Sequence, residues 1–398
     1  MASGQATTRG LPLRPVLLLL HRWAGLVAGL WLFTAALTGA IMVFTDEIDH
    51  GLNPDLYTSS VGPTASADAI AASVVGAFPG YAPNSINLPD HPGESTIVFM
   101  RPAPGSGMPR VSREIFVDSV TAKVIGVRDR DALEFSRPGF TRLVIKLHYT
   151  LLMNDMGQWI FGLVALLWLL GHVVSVVLAF PSIREWKASF VIPRGARGYK
   201  FNFRAHRALA LWFFPVTTVL ALSAVYLNWN ADFRAITGTV LPITKSYDQT
   251  RPKGEGDFTP PIGVQQAVDL ASRHAPGAMV DGVSLMLDKD LYRVRLFDRR
   301  DIDPTRGQRN IYIDSQTGAV RADEHIAGGA AGDVLLAWQF PLHSGKAFGW
   351  PGRIVIFLAG IVICLCVITG YAIYFRKRAV RRERLRKQAA LGQPLPAE

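Results

Sequence analysis

Four long apolar blocks interrupt an otherwise mixed chain: Leu17–Phe44, Trp159–Phe180, Leu209–Trp229 and Ile354–Phe375. Each is long enough, as a helix, to cross about 30 Å of hydrocarbon. Between the first two blocks the period changes. An Ala-rich helical run, Asp68–Phe78, precedes strand-like TIVFM and REIFVD, and DSVTAKVIGV closes as a turn and strand. Between the last two blocks the same order returns. QQAVDLASRHAP reads as helix, LYRVRLF and NIYIDS as strands, and DSQTGAV as the matching turn.

The recurrence has a nearly constant spacing. HYTLLMNDMGQWIFGLVALLWLLGHVVSVVLAF is answered by HSGKAFGWPGRIVIFLAGIVICLCVITGYAIYF, with His148, Gly157 and Phe180 each 195 positions before His343, Gly352 and Phe375. Asp118-Ser119 and Asp314-Ser315 lie 196 apart, and HRWAGLVAGLW at His21 precedes HRALALWFFPV at His206 by 185. The expected architecture is an α-helical membrane protein, a four-helix transmembrane bundle with two α+β extracytoplasmic domains. An internal two-fold repeat would relate the halves about the membrane normal. The expected spans are 17–46, 159–180, 206–229 and 354–375, the second and fourth preceded by interfacial segments that begin at 139 and 334. Soluble domains fill 47–138 and 230–333, with a basic loop at 181–205 and a basic tail at 376–398. The first block is too long for a cleaved signal peptide, carries His21, Arg22 and Trp23, and lacks a small-residue cleavage site, so it reads as a retained span.

Charge gives the orientation. The net charge is +11, but residues 1–22, 181–207 and 376–398 hold 18 Lys and Arg against 3 Asp and Glu. The rest of the chain holds 24 against 28. By the positive-inside rule both termini and the 181–207 loop face the cytoplasm, and the two long loops face the other side. Directly after a span, RKRAVRRERLRK reads as an anchor at an anionic lipid bilayer, with no nucleic-acid partner. Cys364 and Cys366, two apart on one helix, point to different sides and exclude a disulfide between them.

Of nine histidines, His50, His91, His274 and His325 lie in polar loop segments and read as solvent-exposed. The other five stand at or inside the apolar blocks, where an ionisable group is costly and points to function. The repeat pairs His21 with His206 at the cytoplasmic ends of the first and third spans, and His148 with His343 on the far side. Two imidazoles facing across an axis suit a planar metal cofactor ligated on both faces. Haem fits best, since it needs an apolar slot, axial nitrogen donors and cations for its propionates. Arg22 and Arg207 follow the inner pair, and Lys146 and Lys346 lie near the outer one. His172 breaks the repeat, because Val367 occupies its matching place. It lies 24 residues beyond His148, about 36 Å along a continuous helix, and ranks as an alternative ligand at the inner site. A naked divalent metal is the competing reading, with Asp155 near His148 as its one candidate carboxylate. No Ser-His-Asp order, phosphate loop or paired carboxylate stands out.

LHRWAGLVAGLWLFTAALTGAIMVF, the LHYTLL…GQWIFGLVALLW stretch, FNFRAHRALALWFFPVTTVLALSAVYLNW and PLHSGKAFGWPGRIVIFLAGIVICLCVITG resemble the PepSY-associated transmembrane-helix family of bacterial inner-membrane proteins. The soluble units look like PepSY domains, each ending in a D-S-x-T-[AG] turn. Members of that family include haem-containing ferric-siderophore reductases. The resemblance implies haem b, two per chain, at His21 with His206 and at His148 with His343. It further implies an unidentified cytoplasmic or membrane electron donor and release of Fe(II) from a ferric siderophore in the periplasm. Two other readings remain open: a non-enzymatic PepSY module that binds peptide or regulates a protease, and a siderophore or metal permease. Against the permease, Thr34, Thr38, Thr217, Thr218 and Ser223 read as helix-packing residues.

Overall fold

A computed structural model describes residues 13–130, 134–180, 182–253 and 260–391. It divides into two compact units. One comprises Met1–Ala40, Leu147–Trp229 and Val355–Glu398, and the other Ile41–Lys146 and Asn230–Ile354. The first is helical. The second is built on a sheet.

The chain starts with α1 (Leu13–Met42), α2 (Thr45–Leu52), α3 (Pro54–Tyr57) and α4 (Ala67–Ala77). Four strands follow: β1 (Tyr81–Asn87), β2 (Thr96–Pro102), β3 (Arg113–Val117) and β4 (Val124–Asp129). Next come α5 (Phe140–Thr150), α6 (Asn154–Ala179), α7 (Gly198–Trp212), α8 (Phe214–Asn228), α9 (Asn230–Val240), α10 (Tyr247–Thr250) and α11 (Val264–His274). The strands β5 (Val280–Met286), β6 (Leu291–Leu296), β7 (Arg309–Asp314) and β8 (Val320–His325) lead to α12 (Ala331–Ser344) and α13 (Gly349–Ala390).

The eight strands form one antiparallel sheet in the order β4-β3-β2-β1-β5-β6-β7-β8. The two soluble stretches are therefore joined edge to edge, through Ser85, Ile86 and Asn87 opposite Ser284, Val283 and Gly282. A Cβ on Gly282 would lie 2.6 Å from the Ile86 carbonyl oxygen, so this close strand approach requires glycine. Alternation along the strands sends Ile86, Val98, Ile115, Val117, Val283, Tyr292, Val294, Ile311 and Ile313 into one core. Ile70 and Val74 of α4 and Ala267, Val268 and Ala271 of α11 cover it. Burial of each large aliphatic side chain contributes about 1.5–3 kcal/mol. The two helices also cap each other. Asp68 accepts from the Val264 amide at 2.6 Å, and Gln265 accepts from the Ala67 amide at 2.8 Å. Asp118 and Asp314 close matching turns, each accepting two amides from the residues just after it.

The opposite face carries a buried charge network. Arg128 holds Asp49 of α2 through both carboxylate oxygens at 2.9 and 2.8 Å, and holds Glu114 of β3 at 2.8 Å. Glu114 is also paired with Arg142 of α5. Burial pushes Asp49 up, but the Tyr57 hydroxyl and the Arg128 guanidinium outweigh it and hold the carboxyl below its ordinary range. Elsewhere in this unit Arg353 donates to the Val43 carbonyl at 2.7 Å and to Glu47 at 2.6 Å.

In the helical unit, α1, α6 and α13 are each long and apolar enough to cross a membrane. The third expected span is not one rod. α7 and α8 meet at Phe213 with a bend of 71°, and together they supply a fourth crossing only if counted as one span. Pro215, in the first turn of α8, lacks the amide a continuous helix would use. The continuous helix expected from His148 to His172 is also interrupted. α5 ends at Thr150 and α6 begins at Asn154, with Leu151, Leu152 and Asn154 in the left-handed region between or at the ends. The rise of 1.5 Å per residue therefore does not apply across that gap.

Candidate functional site

Two of the expected ligands meet in the helical unit. His21 of α1 and His206 of α7 have ring centroids 6.2 Å apart and planes at 79°. Among the described residues no hydrogen bond joins the two rings. An ion between two imidazole nitrogens, with bonds of about 2 Å, separates the ring centres by roughly 6 Å. The observed spacing matches two rings sharing a central atom, and it equally matches an edge-to-face ring pair in direct packing.

His206 is held from behind by α13. Its Nδ1 lies 2.9 Å from the Cys366 carbonyl oxygen and 3.2 Å from the Thr369 hydroxyl. Gly370 presents bare backbone to the ring, and a Cβ there would be 3.4 Å from His206 Cε1. The carbonyl can only accept, so the proton sits on Nδ1 and the lone pair on Nε2.

His148 of α5 is held by α1 in the same manner. Its Nδ1 lies 2.9 Å from the Ala35 carbonyl oxygen and 3.2 Å from the Thr38 hydroxyl. A Cβ on Gly39 would be 2.9 Å from His148 Cε1. Both cradles use a carbonyl, a threonine three residues later and the next glycine. The readable signal for them is the pair of tripeptides Leu37-Thr38-Gly39 and Ile368-Thr369-Gly370. Thr38 therefore does more than pack helices.

His343, half-buried near the end of α12, falls in the sheet unit, while His148 falls in the helical one. His172 differs from the others. Its Nδ1 bonds its own helix at the Trp168 carbonyl, 2.8 Å away, and its Nε2 meets the Thr217 hydroxyl at 3.0 Å. Both nitrogens are engaged, and the Trp168 and Phe214 rings flank it at 5.3 Å each. This geometry favours His21 and His206 over His172 as a facing pair.

The loop histidines divide. His50, His91 and His274 are exposed, but His325 is buried against Asp301 at 2.9 Å, contrary to its expected exposure. It closes the loop before β7 and lies outside the helical site. The expected counter-cations are engaged in part: Arg207 donates to the Ala188 carbonyl at 3.0 Å, and Lys346 bonds Asp46 and Thr305. Among the described residues no three His, Cys, Asp or Glu side chains are disposed to hold a metal ion. The donor set at His21 and His206 is two imidazoles, without the third protein ligand of a tetrahedral site.

A family model described as the PepSY-associated TM region matches residues 18–377. The chain belongs to that family. As a PepSY-associated TM protein it is a membrane protein, in agreement with its three or four membrane-capable helices. The match runs through all five histidines considered above. No curated protein matches the chain.

Proposed function

We propose that this PepSY-associated TM protein is a di-haem electron carrier of the bacterial inner membrane that reduces ferric siderophores on the periplasmic side. The observation that carries the reading is the His21–His206 pair, two imidazoles brought together from α1 and α7 at a separation that leaves room for a shared central atom. The donor set fits haem better than zinc, because His21 and His206 would offer two imidazole nitrogens and, among the described residues, no third ligand joins them. Haem b, when bound, supplies a one-electron carrier in an apolar setting.

His21 and His206 would hold the inner group. A second group, at His148 and His343, is expected from the sequence repeat alone. On this reading the bent α7–α8 pair is one span of a four-helix bundle, the chain is a tandem of two like units, and both termini are cytoplasmic. The sheet unit then lies in the periplasm, where the ferric chelate is met. Siderophores hold Fe(III) through hard oxygen donors, and the Fe(II) state binds that ligand set less well. Release then requires an electron and no general acid or nucleophile.

The test is the absorption spectrum of purified full-length protein with a pyridine haemochrome assay. The expected result is a b-type spectrum with about two haems per chain, falling to about one in His206→Ala. A colourless protein from haem-replete cells sinks the proposal.

A further inference from the structure

We propose that Thr38–Gly39 and Thr369–Gly370 are twin orienting cradles that fix Nε2 as the coordinating atom of His148 and His206. The inference rests on the haem reading above and extends it from the ligands to the residues that aim them.

The argument begins with the hydroxyl protons. Thr38 donates to the Thr34 carbonyl at 2.6 Å, and Thr369 donates to the Leu365 carbonyl at 2.7 Å, each one turn back on its own helix. With its proton spent there, each hydroxyl faces the imidazole as an acceptor. The backbone carbonyl beside it, of Ala35 or Cys366, is an acceptor as well. Two acceptors around one ring nitrogen admit only the tautomer with hydrogen on Nδ1.

The glycine sets the distance. Any side chain at position 39 would meet His148 Cε1 at 2.9 Å, inside contact distance, and one at position 370 would press on His206 at 3.4 Å. Each ring therefore rests its Nδ1–Cε1 edge on helix backbone, which leaves Nε2 as the nitrogen that the cradle does not hold. An Nδ1–H bonded to acceptors makes the opposite nitrogen a better donor and fixes the ring plane, as ligand-supporting hydrogen bonds do in metal sites generally.

Two other histidines of the helical unit show the contrast. His172 uses its Nδ1 on its own helix and its Nε2 on Thr217. His21 has no hydrogen-bonded partner for its ring among the described residues. The inner pair is thus unequal: His206 is the anchored member and His21 the unanchored one. Simple helix packing would place Thr and Gly together too, but it would not repeat a carbonyl, a hydroxyl and a bare Cα around an imidazole on two separate helices.

The test uses the full-length protein in detergent, with haem content, electron paramagnetic resonance and redox titration as readouts. Thr369→Val keeps the shape and removes the acceptor. It is expected to raise the midpoint potential and change the resonance of one haem, and Thr369→Ser is expected to restore both. Thr38→Val is expected to act on the other haem alone. Gly39→Leu and Gly370→Leu should weaken haem retention roughly 10- to 100-fold at one site each. Valine variants with wild-type potentials and resonances at two haems per chain overturn the cradles and leave the haem reading standing. A wild-type protein without haem overturns both.

Discussion

The two four-stranded halves of the sheet share a topology and differ in what ties them to their surroundings. In the first half the cross-strand pair Glu114–Arg128 anchors a buried network reaching Asp49 and Arg142. In the second half the same place on the ladder is taken by Asn310 and Glu324. Glu324 accepts from the Tyr247 amide, the neighbouring ion pairs are Arg309 with Asp323 and Arg321 with Asp314, and the buried pair of this half, Arg295 with Asp281, sits on β6 and β5 instead. One backbone plan therefore tolerates two kinds of polar support. The buried kind gives no net stability for free, since desolvating three charges offsets much of their attraction. Its consequence is that no member can be removed alone.

The largest expected effect is at Arg128. Arg128→Met strips Asp49 and Glu114 of their shared buried cation and should cost about 3–5 kcal/mol in denaturant unfolding. A loss below about 1 kcal/mol would make the halves equivalent in support. The same carboxylate sets an acid limit. Asp49 titrates below its ordinary range in the fold, so its contribution is complete above the unfolded value near pH 4 and is lost as pH falls through the lowered folded one. Stability should decline on acidification over that window, and by less in Arg128→Met, where the guanidinium is gone and the Tyr57 hydroxyl remains.

Smaller effects test where the halves agree. Asp68→Ala and Gln265→Ala each uncap the neighbouring helix, and each should cost about 1 kcal/mol. Thermal melts showing one of the two to be silent would break the reciprocity of α4 and α11. Smallest of all, Glu324→Gln keeps an acceptor for the Tyr247 amide and should change stability by no more than about 0.5 kcal/mol. A cost near that of Arg128→Met would mean that Glu324 carries a load its half-buried bonds to the Tyr247 amide do not reveal.

Much of this fold was legible from periodicity. The apolar runs of α1, α6 and α13, the helices α4 and α11, and five of the eight strands follow from repeats of 3.6 and 2, while for β8 only the DSQTGAV turn that leads into it is legible. β1 and β5 were not legible. Their segments, YAPNSIN and VDGVSLM, hold Pro83, Asn84 and Gly282, residues that rarely favour strands, and their pairing is between residues nearly 200 apart. Missing them hides the joining of the two soluble stretches into one sheet. The break of the third span had a signal in Pro215 that apolar content overrode. At the site, the histidines announced themselves because ionisable groups are rare in apolar runs. Their cradles did not, because Thr and Gly are ordinary helix-packing residues until a ring is seen against them. The engaged nitrogens of His172 are likewise a fact of tertiary contact, invisible in spacing.

The joining of β1 to β5 also has a consequence in time. Roughly 190 residues separate the two strands, so at 5–20 residues per second β1 waits about 10–40 s on the ribosome for its neighbour. Throughout that interval an edge of the growing sheet stands open to any passing strand. Once β5 arrives, only β4 and β8 remain as edges. β8 carries Arg321, Asp323 and Glu324, charges that discourage further strand addition. Synthesis, more than the finished molecule, is where this chain is exposed to misassembly.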